Sequence, residues 1–151
     1  MATTAILRNP AALATPEVGD LFARAFPPGG LLGEWKEAAP DFVPWVLSPH
    51  VRIILGAEGG ELRGLAVVVL PNDKILPLPQ VVHFFNDGSV KMRAALIDAV
   101  LDICREMGYD RFQAINGTAK PDSVWARTFR RAGAARRIGG ILEFEVREKK
   151  A

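Results

Sequence analysis

One stretch of this sequence constrains the fold more than any other. Residues 80–85, Gln-Val-Val-His-Phe-Phe, read as a strand. The turn Asn86-Asp87-Gly88-Ser89 then leads into a long amphipathic helix. Leu96, Val100, Ile103, Cys104 and Met107 recur on one face of it, and Asp98, Asp102, Arg105 and Glu106 fall largely on the other. Gly108 sits where a helix C-cap needs a left-handed residue. Residues 109–115 read as a second strand. A helical crossover brings the chain back in the same direction, so the two strands must be parallel neighbours in one sheet.

The segments around this unit extend the sheet. Residues 4–7 predict a short first strand that ends near Asn9-Pro10. Thr15-Pro16-Glu17 is a helix start with a capping hydroxyl, and Val18, Leu21, Phe22 and Ala25 follow at helical spacing. Leu31, Leu32 and Trp35 suggest a short second helix. The prolines at 40, 44 and 49 predict an irregular segment, with Phe42, Val43, Trp45 and Val46 turned inward. Residues 51–55 and 62–70 predict a hairpin around the turn Gly56-Ala57-Glu58-Gly59-Gly60. Asp122 or Ser123 caps a last helix that runs to Arg131, and residues 138–146 predict one final strand. The expected fold class is α/β (α+β): a mixed central sheet with helices on both faces, in a single domain over residues 1–151.

Composition bounds the function. Of the 151 residues, 49% are hydrophobic and 24% charged, with a net charge of +2, which fits one globular domain and gives no general attraction to nucleic acid. One cysteine excludes an internal disulfide, and two histidines without ligand spacing give no metal site. No apolar run approaches the ~20 residues of a membrane span, and the N-terminus lacks a secretory pattern. An intracellular setting without membrane contact is the expectation.

Element order and several local pieces resemble the GNAT acetyltransferase superfamily across nearly the whole chain. Glu61-Leu62-Arg63-Gly64-Leu65-Ala66-Val67-Val68-Val69 is similar to that family's third strand. Ala94-Ala95-Leu96-Ile97-Asp98-Ala99-Val100 through Gly108-Tyr109 resembles its central helix and the following strand, and Phe129-Arg130-Arg131-Ala132-Gly133 the end of its last helix. The resemblance implies a GNAT-like fold and an acetyl-CoA site at the turn before the central helix. Backbone groups of Val82, Phe84 and Phe85 would hold the pantetheine, and Gly88, Ser89, Val90 and Lys91 the pyrophosphate. A helix N-terminus suits that charge.

Three departures set this chain apart from the family pattern. Lys91 stands at the central glycine position of the loop and Arg93 at its last small position. Phe129 stands where many members carry a tyrosine acid, and the only tyrosine, Tyr109, belongs to a different element. Residues 62–70 and 80–85 contain no carboxylate, leaving His83 as the one titratable base candidate within them, with strand alternation placing it opposite to Val82 and Phe84. Asn116 is a further candidate for hydrogen bonding to a ligand.

Arg127, Arg130, Arg131, Arg136 and Arg137 form a basic cluster that suits an acidic protein patch better than nucleic acid. Trp35, Phe42 and Trp45 form either a pocket lining or a hydrophobic cluster. Cys104 reads as a small buried hydrophobe. The expected function is a non-catalytic or vestigial acetyltransferase fold used as a binding or assembly module with a protein partner, for example in a bacteriophage virion. The alternative is an active acetyl-CoA-dependent N-acetyltransferase of unknown amine acceptor, and a CoA-sensing module is a third reading.

Overall fold

The structure is a computed structural model that describes residues 1–26, 35–71, 78–115, 134–138 and 141–146. Its elements in chain order are β1 (Ala2–Ile6), a 3-10 turn (Pro10–Ala14), α1 (Pro16–Ala25), α2 (Trp35–Leu47), β2 (Val51–Glu58), β3 (Glu61–Val69), β4 (Gln80–Asn86), α3 (Val90–Glu106), β5 (Arg111–Ile115), β6 (Ala134–Ile138) and β7 (Ile141–Glu145). The strands form one seven-stranded sheet in the order β1-β2-β3-β4-β5-β7-β6. The β4–β5 pair is parallel, as the crossover through α3 requires, and the other five pairs are antiparallel.

Strand alternation divides the core into two layers. Ile54, Ala66, Val68 and Val81 face α3, where they meet Met92, Leu96, Val100, Ile103 and Cys104. Ile53, Leu65 and Val67, one residue out of phase, face α1 and α2 and meet Leu21, Phe22, Phe26 and Phe42. Both faces of β3 are therefore covered, which explains its near-continuous apolar run.

Two glycines let α3 lie close to the sheet. Gly56 on β2 and Gly64 on β3 are register partners and form a flat patch under the helix. A Cβ at Gly64 would meet Leu96 Cδ1 at 2.6 Å, and one at Gly56 would meet Met92 Cε at 2.4 Å.

Several boundaries differ from the sequence expectation. The segment with Pro40 and Pro44 is helical, because Trp35, Phe42 and Trp45 gain an aromatic core by winding onto α1. Both prolines sit on the exposed side of α2, where water can satisfy the carbonyls that lose their N–H partners. The β2–β3 turn is only Gly59-Gly60, both with positive φ (62° and 80°). Gly56, Ala57 and Glu58 belong to β2 instead, with a bulge between Gly56 and Ala57. Thr15 precedes α1, but its hydroxyl donates back to the Ala12 carbonyl at 2.7 Å rather than capping the helix.

At the other end of the chain, Met107 is 48% exposed, because the helix ends at Glu106 before that position can turn inward. The expected single final strand is a hairpin of β6 and β7, with β7 placed between β5 and β6. The expected helix from residue 122 to 131, including Phe129, lies outside the described residues, as does Asn116. No described helix is long and apolar enough to cross a membrane.

Candidate functional site

The site suggested by the sequence sits where β4 leaves β5 and enters α3. The β4–β5 ladder consists of two register pairs, Gln80 with Gln113 and Val81 with Ala114. A side-chain bond from Gln80 Nε2 to Gln113 Oε1 at 3.2 Å closes it. Strand β4 runs on to Asn86 along β3, so the two parallel strands part at Val81.

A bulge re-aims β4 at the same point. Val67 pairs with His83 and Val68 with Val81, which leaves Val82 as an extra residue on β4. Val82 and His83 therefore both turn toward α1 and α2, while Phe84 turns toward α3 and Phe85 back again. Simple alternation had set His83 opposite to Val82, and the bulge overturns that expectation.

His83 is held on two sides. Its ring stacks on Phe26 with centroids 4.3 Å apart and planes at 10°. Its Nε2 lies 2.7 Å from the carbonyl oxygen of Ala25, the last residue of α1. A carbonyl only accepts, so Nε2 carries the hydrogen and donates it. Burial pushes the imidazole pKa down, and the Ala25 bond opposes this in part. His83 thus satisfies one of the carbonyls that a helix C-terminus leaves open.

The turn into α3 is tightly bonded. Asn86 Oδ1 accepts from Gly88 N at 2.9 Å, and Asn86 Nδ2 donates to the Ser89 carbonyl at 3.2 Å. Ser89 is the N-cap, with its hydroxyl 3.4 Å from Met92 N. Asp87 is not a cap. Its carboxylate accepts from Arg24 Nε at 2.8 Å, with Arg63 at 4.0 Å, and Arg24 also donates to the Leu62 carbonyl. Arg24 thereby ties the end of α1 to this turn.

The residue that dominates the turn, Glu58, carries no local sequence signal. Its carboxylate accepts from Ser89 N at 2.9 Å and from the Ser89 hydroxyl. These two bonds hold its pKa below the ordinary carboxylate value. A Cβ at Gly88 would come within 2.9 Å of Glu58 Oε1, so this glycine is needed for the close approach. A helix N-terminus attracts an anion through its open N–H groups and dipole. Here an internal carboxylate takes that place. It occupies the Ser89 N–H and places a negative charge beside the turn. Gly88, Ser89, Val90 and Lys91 are exposed around it.

The other candidates fall in structural positions. Trp35, Phe42 and Trp45 join Phe22 and Phe26 in one aromatic cluster, with Phe42 fully buried. Tyr109 packs against the core layer under α3, and its N–H donates to the Cys104 carbonyl at 2.9 Å. Cys104 is buried, and burial raises its thiol pKa to about 11. Of the arginine cluster, Arg136 and Arg137 lie on β6, and Arg127, Arg130 and Arg131 lie outside the described residues.

No protein-family model matches the sequence, and no curated protein matches it. Solved structures match along nearly the whole chain. The GNAT domain of the Streptomyces lividans protein PAT superposes with a TM-score of 0.70 at 15% identity, covering 94% of this chain and 89% of that one. A Desulfovibrio desulfuricans protein assigned to the GNAT acetyltransferases gives 0.66 at 18% identity, covering 97% and 100%. A Salmonella typhimurium protein assigned as an acetyltransferase, solved with acetyl-CoA, gives 0.66 at 12% identity, covering 100% and 97%. With its mixed sheet, its parted β4 and β5 and its crossover helix α3, the chain has the GNAT fold.

Proposed function

We propose that this chain uses the GNAT fold as a non-catalytic binding and assembly module. The observation that carries this reading is the Glu58 carboxylate on the N-terminus of α3. Acetyl-CoA brings a pyrophosphate, and charge repulsion at that point opposes its binding. Lys91 and Arg93, in place of small residues, add side-chain bulk to the same turn. The partner under this reading is another protein, in an assembly such as a virion.

Calorimetric titration with acetyl-CoA tests the proposal. The expected result is no binding by the native chain. Saturable binding in the micromolar range overturns it. Glu58→Gln, which keeps an acceptor oxygen and removes the charge, should raise whatever affinity exists.

A second reading, an N-acetyltransferase, is favoured by one specific observation. Strand β4 parts from β5 at Val81 next to a bulge, so one flank of β4 has no described strand beside it. Such a flank can accommodate an extended ligand by backbone hydrogen bonds. Acetyl-CoA-dependent thiol release in the presence of amines would establish this reading and exclude the first.

A further inference from the structure

A second feature lies away from the α3 turn, at the junction of β1, the end of α2 and the start of β2. An open groove of about 290 Å³ runs there between Ile6 and Arg8 on one side and Val46, Leu47, Val51 and Arg52 on the other. Its volume matches the small end of ligand pockets, roughly 300 Å³. The lining mixes polar groups with the half-buried side chains of Ile6, Val46 and Val51, and Leu47, 66% exposed, forms a rim. Two arginines border the groove, and its lining contains no acid.

Neither arginine meets a carboxylate within ion-pair distance among the described residues. Arg52 is nevertheless fixed in place. Its Nη1 donates to the carbonyls of Pro49 at 3.0 Å and Val51 at 3.1 Å. The guanidinium edge formed by Nε and Nη2 has no acceptor among the described residues, and that edge matches a carboxylate with two parallel bonds. A preorganised donor loses little freedom on binding.

The C-terminus of α2 adds an opposing partial charge, about half a negative charge. Two full positive charges outweigh it. On its other side Arg8 borders a groove with Glu106 and with Asp102, which pairs with Arg105. The groove therefore combines two arginines with one uncovered aliphatic side chain, Leu47.

We propose that this groove docks a partner protein through an acidic, leucine-rich segment. A carboxylate of the segment bridges Arg52 and Arg8, and an aliphatic side chain covers Leu47, Val46 and Val51. The inference is independent of whether the α3 turn accepts acetyl-CoA.

The test is an amide-proton NMR titration of the full chain with the peptide acetyl-Leu-Glu-Leu-Glu-Leu-amide. Saturable shifts are expected at Arg8, Leu47, Val51 and Arg52. Replacing both glutamates of the peptide by glutamine should weaken binding about tenfold or more, the scale of a lost charged hydrogen bond. The double variant Arg8→Gln, Arg52→Gln should do the same, and Leu47→Ser should weaken binding without changing its charge dependence. The spectrum of each variant reports its folding directly. Absence of saturable shifts, shifts centred elsewhere, or equal binding of the glutamine peptide overturns the proposal. Tighter binding of dodecanoate than of the peptide also overturns it, in favour of a fatty-acid-type ligand.

Discussion

Glu58 closes β2 and Ser89 opens α3, and the carboxylate of the first accepts both the N–H and the hydroxyl hydrogen of the second, 31 residues away in sequence. The pair fastens the N-terminus of the crossover helix to the tip of the hairpin. The stabilising effect has a plain cause, a carboxylate at the positive end of a helix.

The Glu58–Ser89 bonds predict a specific acid sensitivity. The carboxyl pKa is lowered from 4.5, chiefly by the Ser89 side-chain bond and then by the Ser89 backbone bond. A depressed folded-state pKa means that its contribution is fully present above the unfolded value. That contribution is lost as pH falls from there through the folded value. Urea denaturation of native chain and Glu58→Gln should therefore differ at neutral pH and converge below the ordinary glutamate range. Ser89→Ala should destabilise by about 1 kcal/mol through the cap alone. Its effect and that of Glu58→Gln should be non-additive. Additive effects at neutral pH would show that the two side chains act separately.

The glycine patch under α3 predicts unequal outcomes for two similar substitutions. In Gly64→Ala the new methyl meets Leu96 Cδ1 at 2.6 Å, with Cγ at 3.3 Å, and a branched side chain in a packed layer has little room to retreat. Overpacking of this kind costs about 1–3 kcal/mol. In Gly56→Ala the methyl meets the end of Met92, Cε at 2.4 Å and Sδ at 2.9 Å, and an unbranched thioether can swing away. Thermal or urea denaturation should rank Gly64→Ala as the more damaging. Equal losses would mean that the helix, rather than the two side chains, absorbs both methyls.

What the sequence shows of this fold depends on the range of each signal. The unit from Gln80 to Ile115 was readable because its pattern is local and its topology is forced by the handedness of crossovers. Helix α2 was not, because Pro40 and Pro44 are strong local breakers, and the compensation comes from Phe22 and Phe26, on another helix. Only residues 138–146 read as a strand there, because β6, Ala-Ala-Arg-Arg-Ile, has little apolar alternation of its own. At the candidate site, Gly88 and Ser89 were visible as a turn, whereas Glu58 was invisible. Nothing local in Gly-Ala-Glu-Gly-Gly shows that its carboxylate reaches Ser89 across the sheet. The reversal of His83 likewise depends on a one-residue register slip against β3.

Cys104 should behave as a core residue. It is fully buried between α3 and the sheet, and burial raises its thiol to about pKa 11, so almost no thiolate exists at neutral pH. Reaction with a colorimetric disulfide reagent at pH 8 should be slow for the folded chain. It should become fast in urea, releasing one equivalent, since the chain has one cysteine. Rapid reaction without denaturant would place the thiol at an accessible surface and contradict the packing of α3.

His83 gives the sharpest pH test of the β4 bulge. Its pKa is lowered from 6.5, with desolvation as the main cause and the Ala25 carbonyl opposing it. For a base, a depressed folded-state value means that the unfolded chain binds the proton more readily. Stability is then highest above 6.5 and declines as pH falls from there toward the folded value, where the loss is complete. Protonation does not break the Ala25 bond, because Nε2 already donates in the neutral ring. It places a charge against the face of Phe26, within a half-buried cluster. His83→Gln can keep an N–H donor toward Ala25 and should remove the pH dependence while preserving the fold. An NMR titration of the native ring should give a midpoint below 6.5. A midpoint at or above that value would mean that the ring stands in water, as strict alternation without the bulge allows.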